Sequence, residues 1–227
     1  MIEKLLPSYV AAVDTREDWG DAFLFPEELA AIGELAEKRR VEFTTARACA
    51  HEALEMLGRP ATAISRGAHG EPSWPTGLVG SITHCSGYRA CVVARSRDVA
   101  AIGIDAEPHA PLPDGLLEYV TVAREREWVA ARMATHPRIH WDRLVFSIKE
   151  AVYKAWFSIS HRRLTFQDAT IALDTDTMRF TAALSHPGVV LDSECVTSLT
   201  GNWQVGDGLI LSALTLAPPA RPRVGLG

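Results

Sequence analysis

The sequence predicts an α+β protein made of two similar lobes, each with antiparallel strands packed on a long helix. In each half, helical segments accompany short apolar and β-branched runs that are separated by Gly, Pro, Asn or Asp turns. This order of elements occurs twice within 227 residues, a length that can bury one large core or two smaller ones.

The N-terminal half begins with helix and continues as strands. Residues 26–57 are rich in Ala, Glu and Leu and predict one or two helices, with Pro26 in the first turn and Gly58 beyond the end. After a Gly- and Pro-rich loop, three strands are predicted, with the sequences LVGSITH, YRACVVAR and VAAIGID. The proline-rich stretch 108–113 predicts the lobe boundary, so we expect an N-terminal lobe of residues 1–108.

The C-terminal half repeats this pattern. Residues 121–134 and 138–157 predict helices, and four strands follow, with the sequences ATIALD, MRFTAAL, NWQV and LILSALTLA. We therefore expect a C-terminal lobe of residues 109–217 and a disordered tail of residues 218–227, which are rich in proline.

Composition and charge exclude several classes of protein. Hydrophobic residues make up 47% and charged residues 22% of the chain, as in ordinary globular proteins. The 23 basic and 28 acidic residues give a net charge of −5, which argues against a general binder of nucleic acid or membranes. Four cysteines without a C-x-x-C pair indicate reduced thiols, and no signal peptide or membrane-spanning run is present, so we expect a cytoplasmic protein.

Two carboxylates close the apolar run AAIGIDAEP. Asp105 and Glu107 lie two residues apart, where an extended chain points both side chains the same way. One interpretation is a strand that runs out into solvent. The other is half of a Mg²⁺ site, since this ion prefers carboxylate oxygens.

A third carboxylate lies on the second helix of the C-terminal half. Glu150 has aromatic residues at positions −4, +3 and +7, namely Phe146, Tyr153 and Phe157, which indicates a partly buried face. An equally good alternative is a surface ion pair between Glu150 and Lys154, one turn further on.

Several basic residues could face a polyanion. Arg40 and Arg47 share a helix face, Arg66 begins the loop RGAHGEPSW, and His84 ends a predicted strand. Taken singly, a solvated helix face for the arginines and a packed histidine for His84 are the better interpretations. No P-loop, Gly-x-Gly-x-x-Gly motif or Ser-His-Asp elbow is present.

Three segments in this order resemble the 4′-phosphopantetheinyl transferase superfamily. They are GEPSWPTGLVGSITHCSGYRACVV, AIGIDAEP and WDRLVFSIKEAVYKAWF, and the resemblance covers roughly residues 36–160. The family's hallmarks match Gly103–Glu107 and Phe146–Lys154. The branch with two lobes in one chain, which activates siderophore, polyketide and peptide synthases, is the most similar.

The resemblance implies a ligand, a metal and the residues that hold them. Coenzyme A would lie between two lobes related by a pseudo-twofold axis, and Mg²⁺, with Mn²⁺ as an alternative, would be held by Asp105, Glu107 and Glu150. Contacts to the phosphates are implied for Arg39 or Arg40, Arg47, Arg66, Thr83, His84 and Lys149. Tyr153 and Trp156 are implied to line the pantetheine channel.

The implied reaction is transfer of the 4′-phosphopantetheine arm to a serine of an apo acyl or peptidyl carrier protein, with release of adenosine 3′,5′-bisphosphate. Glu150, Lys149 and Asp105 are the candidate catalytic residues, with Glu150 or a metal-bound water as the base. A Mg²⁺-dependent phosphodiesterase or nuclease and a non-catalytic module that binds coenzyme A or carrier proteins are the alternatives. We expect a monomer that binds neither nucleic acid nor membranes.

Overall fold

The computed structural model describes residues 1–33, 36–185, 190–191 and 194–218. Besides two short 3-10 helices, Ile2–Leu5 and Phe166–Asp168, these residues form one strand, two helices, three strands, three helices and six strands in chain order. The α-helices are α1 Pro26–Ile32, α2 Glu37–Met56, α3 Leu116–Val120, α4 Ala123–Thr135 and α5 Trp141–Ser160. The strands are β1 Ala11–Thr15, β2 Leu78–Cys85, β3 Tyr88–Arg95, β4 Ala101–Pro108, β5 Ala169–Asp174, β6 Arg179–Leu184, β7 Val190–Leu191, β8 Glu194–Cys195, β9 Ser198–Gly206 and β10 Leu209–Leu216.

The strands form antiparallel sheets, which confirms the predicted α+β class. A three-stranded sheet has the order β1-β3-β2, and a five-stranded sheet has the order β4-β10-β9-β6-β5. Strands β7 and β8 pair as a separate hairpin. Strand β4, which comes from the first half of the sequence, pairs with β10 from the end of the described chain, so Asp105 lies opposite Ser212.

The two sheets pack between the two long helices. On β3, Cys91 and Val93 face α2, while Ala90 and Val92 face the five-stranded sheet, so this strand is buried on both sides. Helix α5 covers the opposite face of the five-stranded sheet with an apolar stripe that includes Ile148. Each helix therefore buries one face against one sheet, and the two sheets share the core between them.

The two sheets also meet edge to edge, where β2 runs beside β4. Ser81 Oγ accepts a hydrogen bond from Ile104 N at 3.1 Å, and Thr83 Oγ1 accepts one from Ala106 N at 3.1 Å. These side chains satisfy backbone donors on the edge of β4 that pairs with no strand of the five-stranded sheet. They connect the two sheets beside Asp105.

The elements differ from the predicted ones mainly at their ends. Strand β1 and helix α3 are additions, because neither five-residue segment carries a clear periodic pattern. The predicted lobe boundary at residue 108 stays a prediction, although β4 is hydrogen-bonded into the sheet of the second half. All but the first residue of the predicted disordered tail lies outside the described residues. Within the described part of the chain, no helix is long and apolar enough to cross a membrane.

Candidate active site

Helix α5 approaches β4 so closely that only glycine fits between them. A Cβ atom added to Gly103 would lie 1.9 Å from the carbonyl oxygen of Ala151. The absence of a side chain therefore allows the helix to lie directly against the strand. As a result, the carboxylates at the end of β4 lie beside the polar face of α5.

Asp105 is the central carboxylate of this region. It is buried, and its Oδ1 accepts hydrogen bonds from Lys154 Nζ at 2.7 Å and Thr83 Oγ1 at 3.2 Å. Its Oδ2 is buried without a hydrogen-bond partner among the described residues. A strand that runs out into solvent is therefore excluded, and a buried acceptor oxygen is left for a ligand.

Glu107 and Glu150 are both partly buried and lie close enough to Asp105 to be affected by its charge. Burial raises the pKa of each of these carboxyls, and the negative charge of Asp105 raises both further. Glu107 Oε2 accepts a hydrogen bond from Arg143 Nη1 at 2.7 Å. The structure thus groups the three acidic residues that the sequence singled out.

These carboxylates do not form a metal cage in the conformation described. Across the described residues, no set of three His, Cys, Asp or Glu side chains is arranged to hold a metal ion. Lys154 and Arg143 neutralise Asp105 and Glu107 instead. The alternative surface pair between Glu150 and Lys154 is also absent among the described ion pairs, because Lys154 turns to β4 and contacts Asp105 and Ile104 O.

Lys149 is not brought to the carboxylates by the structure. Its buried Nζ donates to Glu125 Oε2 at 2.6 Å, to Val120 O at 2.9 Å and to Phe166 O at 2.8 Å. Five residues along a helix correspond to a rotation of about 140°, so Lys149 and Lys154 point in different directions. The expectation that Lys149 neutralises a pyrophosphate is not supported by this placement, in which it joins α5 to α4.

A cluster of basic side chains lies between α2 and the end of β2. Arg39 Nη1 donates to His84 Nε2 at 2.7 Å, and the same nitrogen lies 3.3 Å from Glu42 Oε2. Burial and the charge of Arg39 lower the pKa of His84 to about 4, so its ring is neutral and accepts this hydrogen bond at pH 7. Arg40 instead forms an ion pair with the exposed Glu37. Of the two predicted arginines, Arg39 is the one that contacts His84.

Two further predicted arginines lie near each other. Arg47 is buried with its Cζ 4.4 Å from the centre of the Phe43 ring, and its Nε has no hydrogen-bond partner among the described residues. Burial lowers the pKa of Arg47, and the positive charge of Arg66 contributes to the shift. Arg66 itself begins the glycine-rich loop, where its guanidinium lies over Gly70.

A small cavity lies beside Glu150. It has a volume of about 160 Å³, and its walls include Lys149, Glu150, Tyr153 and Phe166. The predicted position of Tyr153 beside a narrow channel fits this cavity. Trp156 is buried in the core beneath α5, so the expectation that it lines the channel is not supported.

Sequence reasoning missed Lys154, Arg143 and Glu42 as parts of this region. Arg143 lies seven residues before Glu150, which is two helical turns, so the helix periodicity carried a signal for it. Lys154 is the last residue of the hallmark Phe146–Lys154 and a possible surface partner of Glu150, but neither pattern predicts its contact with Asp105. Glu42 forms an ordinary-looking i,i+3 pair with Arg39, and nothing in the sequence distinguishes that pair from the exposed pair of Glu37 and Arg40.

The site as a whole is suited to a polyanionic ligand. Partly buried carboxylates lie at the junction of the two sheets. The basic pair of Arg39 and His84 is near them, since the charge of Lys154 lowers the pKa of His84. Such a combination of acidic and basic side chains is typical of enzymes that transfer phosphoryl-type groups.

Comparison with known proteins identifies the family. Residues 27–94 match the family model described as the 4′-phosphopantetheinyl transferase N-terminal domain, and residues 101–198 match that of the 4′-phosphopantetheinyl transferase superfamily. The second match begins at β4, so it contains all three clustered carboxylates. The chain belongs to the 4′-phosphopantetheinyl transferase superfamily, whose members transfer the phosphopantetheine arm of coenzyme A to carrier proteins.

Individual relatives are similar over most of their length. The chain is 46% identical to the 4′-phosphopantetheinyl transferase Svp of Streptomyces mobaraensis over 223 residues, which is 97% of this chain and 91% of the relative. It is 46% identical to PptT of Mycobacterium tuberculosis, over 84% of this chain and 85% of that protein. It is 43% identical to Npt of Nocardia iowensis, over 96% of this chain and 100% of that protein. The predicted family and activity are thereby confirmed.

Proposed function

We propose that the chain performs this transfer with Mg²⁺ at the clustered carboxylates and releases adenosine 3′,5′-bisphosphate. The observation that carries the proposal is Asp105 Oδ2, which is buried without a hydrogen-bond partner among the described residues and belongs to a carboxylate whose charge also acts on Glu150. The serine oxygen of the carrier forms a bond to the β-phosphorus of the coenzyme A pyrophosphate. The bond from that phosphorus to the bridging oxygen breaks, and the nucleotide leaves with the electron pair.

The donor set suits Mg²⁺ chemically. Asp105, Glu107 and Glu150 would hold the ion, since they provide hard carboxylate oxygens and one of those oxygens is buried without a partner among the described residues. The ion would neutralise charge on the pyrophosphate when bound. Lys154 and Arg143 would have to release Asp105 Oδ1 and Glu107 Oε2 at that point.

The basic side chains would bind the phosphates of coenzyme A. Arg39 and His84 form an outward-facing pair at the end of β2, and Arg47 with Arg66 forms a second group beside the glycine-rich loop. Lys154 is added to the predicted set in place of Lys149, because its ammonium group reaches the carboxylate cluster. Thr83 positions Asp105 and donates no further hydrogen bond once it does so.

Glu150 would accept the proton of the attacking serine hydroxyl. In the protein without a metal, burial raises the pKa of its carboxyl, and Mg²⁺ held by the same carboxylate would offset this shift. The neighbouring cavity, which Tyr153 and Phe166 line, would receive the pantetheine arm. The monomeric state and the cytoplasmic location stay predictions.

The test is to incubate the protein with coenzyme A, Mg²⁺ and an apo carrier protein, and then to weigh the carrier. We expect a mass increase of one phosphopantetheine arm, equal amounts of adenosine 3′,5′-bisphosphate, and no change in a carrier whose acceptor serine is replaced by alanine. Chelation of the metal should stop the reaction, and added Mg²⁺ should restore it. Coenzyme A binding without carrier modification would instead favour a binding module, and cleavage of nucleic acid would favour a nuclease.

A further inference from the structure

Glu42 is a buried carboxylate that contacts three basic side chains from three different elements. On α2, Arg39 Nη1 lies 3.3 Å from Glu42 Oε2. At the end of β2, His84 Nδ1 lies 3.8 Å from the same oxygen. At the start of β3, Arg89 Nη2 lies 3.8 Å from Glu42 Oε1.

The exposure of these side chains places Glu42 behind the cluster. The Glu42 side chain is 11% exposed, whereas those of Arg39 and His84 are 53% and 30% exposed. A ligand that approaches from solvent therefore meets Arg39 and His84 and does not reach Glu42. The carboxylate acts on a ligand only through the groups that it holds.

A buried negative charge at this position is unexpected on simple electrostatic grounds. Coenzyme A is a polyanion, and a carboxylate close to its binding site repels it, most strongly where the surroundings are poor in water. Removal of the charge should therefore tighten binding if electrostatic repulsion were the whole effect. The carboxylate needs another role to offset this repulsion.

The geometry of the basic cluster supplies that role. Arg39, His84 and Arg89 converge on a small region, and without a counter-charge the two guanidinium groups would repel each other. The same Arg39 nitrogen that approaches Glu42 also donates the 2.7 Å hydrogen bond to His84 Nε2. Glu42 thus holds the guanidinium of Arg39 in one place, against the histidine ring.

We propose that Glu42 is a positioning residue of the coenzyme A site, which fixes Arg39 and His84 in a binding arrangement before the ligand arrives. This inference rests on the proposed function, in which Arg39 and His84 bind a phosphate of coenzyme A. When Arg39 and His84 are already held in place, less conformational entropy is lost as coenzyme A binds. This gain in binding free energy exceeds the repulsion between Glu42 and the ligand.

The substitution Glu42→Gln tests the inference by the sign of its effect, because it keeps the side-chain shape and removes the charge. We expect the Kd for coenzyme A, measured by calorimetry, to rise about tenfold, with kcat at saturating coenzyme A unchanged. A lower Kd would overturn the inference, because repulsion would then outweigh any positioning effect. An unchanged Kd would also overturn it, because the carboxylate would then add nothing to the affinity. The conservative variant Glu42→Asp, which keeps the charge, should recover part of the affinity.

The same helix offers a matched control. Glu37 pairs with Arg40 at the same i,i+3 spacing, but on the exposed surface, and Glu37→Gln should leave Kd and kcat unchanged.

Arg89 keeps its 2.8 Å ion pair with Asp18 in Glu42→Gln, so this variant should stay folded, and its melting temperature checks this. If thermal unfolding shows that Glu42→Gln is not folded, Glu42→Asp decides: a rise in Kd at unchanged kcat supports the inference, and an unchanged Kd overturns it.

Failure of this inference can be distinguished from failure of the proposed function. If the unmodified protein does not bind coenzyme A, the proposed function fails and the inference fails with it. If Arg39→Met raises the Kd for coenzyme A but Glu42→Gln does not, the site stands and the positioning role of Glu42 is wrong.

Discussion

Lys154 Nζ lies 2.7 Å from Asp105 Oδ1, and this contact joins the long helix of the second half to the strand that carries the clustered carboxylates. The same ammonium group donates to Ile104 O at 3.0 Å. Lys149, on the same helix, is buried in an ion pair with Glu125. Two lysines in one motif therefore have different surroundings, and substitutions should separate their roles.

Lys149→Met should destabilise the fold. The side chains of Lys149 and Glu125 are 1% and 3% exposed, so the substitution leaves Glu125 as a buried charge without its partner. We expect the free energy of unfolding, measured in urea, to fall by about 3–5 kcal/mol. The double variant Lys149→Met/Glu125→Gln should recover part of this loss. If Lys149→Met instead keeps full stability and loses only kcat, then Lys149 acts in the reaction.

Lys154→Gln should reduce phosphopantetheine transfer and leave the stability of the fold almost unchanged. Its ammonium group is partly exposed, at 27%, so we expect a small change in the free energy of unfolding and a large loss of phosphopantetheine transfer. The mass of an apo carrier protein after incubation with coenzyme A measures the transfer. Normal transfer by a folded Lys154→Gln variant would exclude this lysine from the site.

Glu150→Gln should abolish transfer while the protein stays folded, because an amide cannot accept the serine proton at neutral pH. Burial raises the pKa of Glu150 in the protein without a metal, so on acidification protons should compete with Mg²⁺ for this carboxylate. The transfer rate at subsaturating Mg²⁺ should therefore fall as the pH is lowered. Retained activity in Glu150→Gln would remove this residue from the mechanism.

The sequence predicted the parts of the site that depend on local patterns. Asp105 and Glu107 followed from the end of an apolar strand, and the aromatic neighbours of Glu150 indicated a partly buried helix face. The ion pair of Lys154 with Asp105 could not be predicted in this way. It depends on β4 pairing with β10 and on the position of α5 across that sheet, which are contacts between distant segments.

Strand β1 and the role of Glu42 were not predicted, and the reason is similar for both. Strand β1 is five residues long and is defined mainly by its pairing with β3, from a segment far along the chain. Glu42 is distinguished from Glu37 only by burial, which depends on β2 and β3 packing beside α2. The local sequence pattern predicts neither the pairing of β1 with β3 nor the burial of Glu42.

His84 should titrate well below the usual range for histidine. Burial is the largest cause of the shift, and the positive charges of Arg39 on α2, Lys154 on α5 and Arg89 on β3 add to it. Glu42 on α2 opposes the shift, and the net effect lowers the pKa of His84 from 6.5 to about 4. Because the folded state disfavours the charged ring, the contribution of His84 to stability is present above pH 6.5 and is lost as the pH falls towards 4. An NMR titration, assigned with His84→Ala, should give a midpoint near 4.

Adenosine 3′,5′-bisphosphate should raise that midpoint, because a bound phosphate favours the protonated ring. Glu42→Gln should lower it in the free protein, since the charge of Glu42 raises the pKa of His84. A midpoint near 6.5 without ligand would contradict the close contact between His84 and Arg39.

Gly103→Ala should damage both stability and transfer. The added Cβ would lie 1.9 Å from Ala151 O and 3.0 Å from Ala155 Cβ, so α5 must move away from β4. We expect the free energy of unfolding to fall by about 1–3 kcal/mol, the usual cost of overpacking, with a larger relative loss of transfer because Glu150 and Lys154 move with the helix. Gly206→Ala is the matched control, since its Cβ would meet only Gln204 Nε2, at 3.7 Å, and both properties should be retained. If Gly103→Ala loses stability and transfer no more than Gly206→Ala does, the close packing of α5 on β4 is not what positions Glu150 and Lys154 beside Asp105.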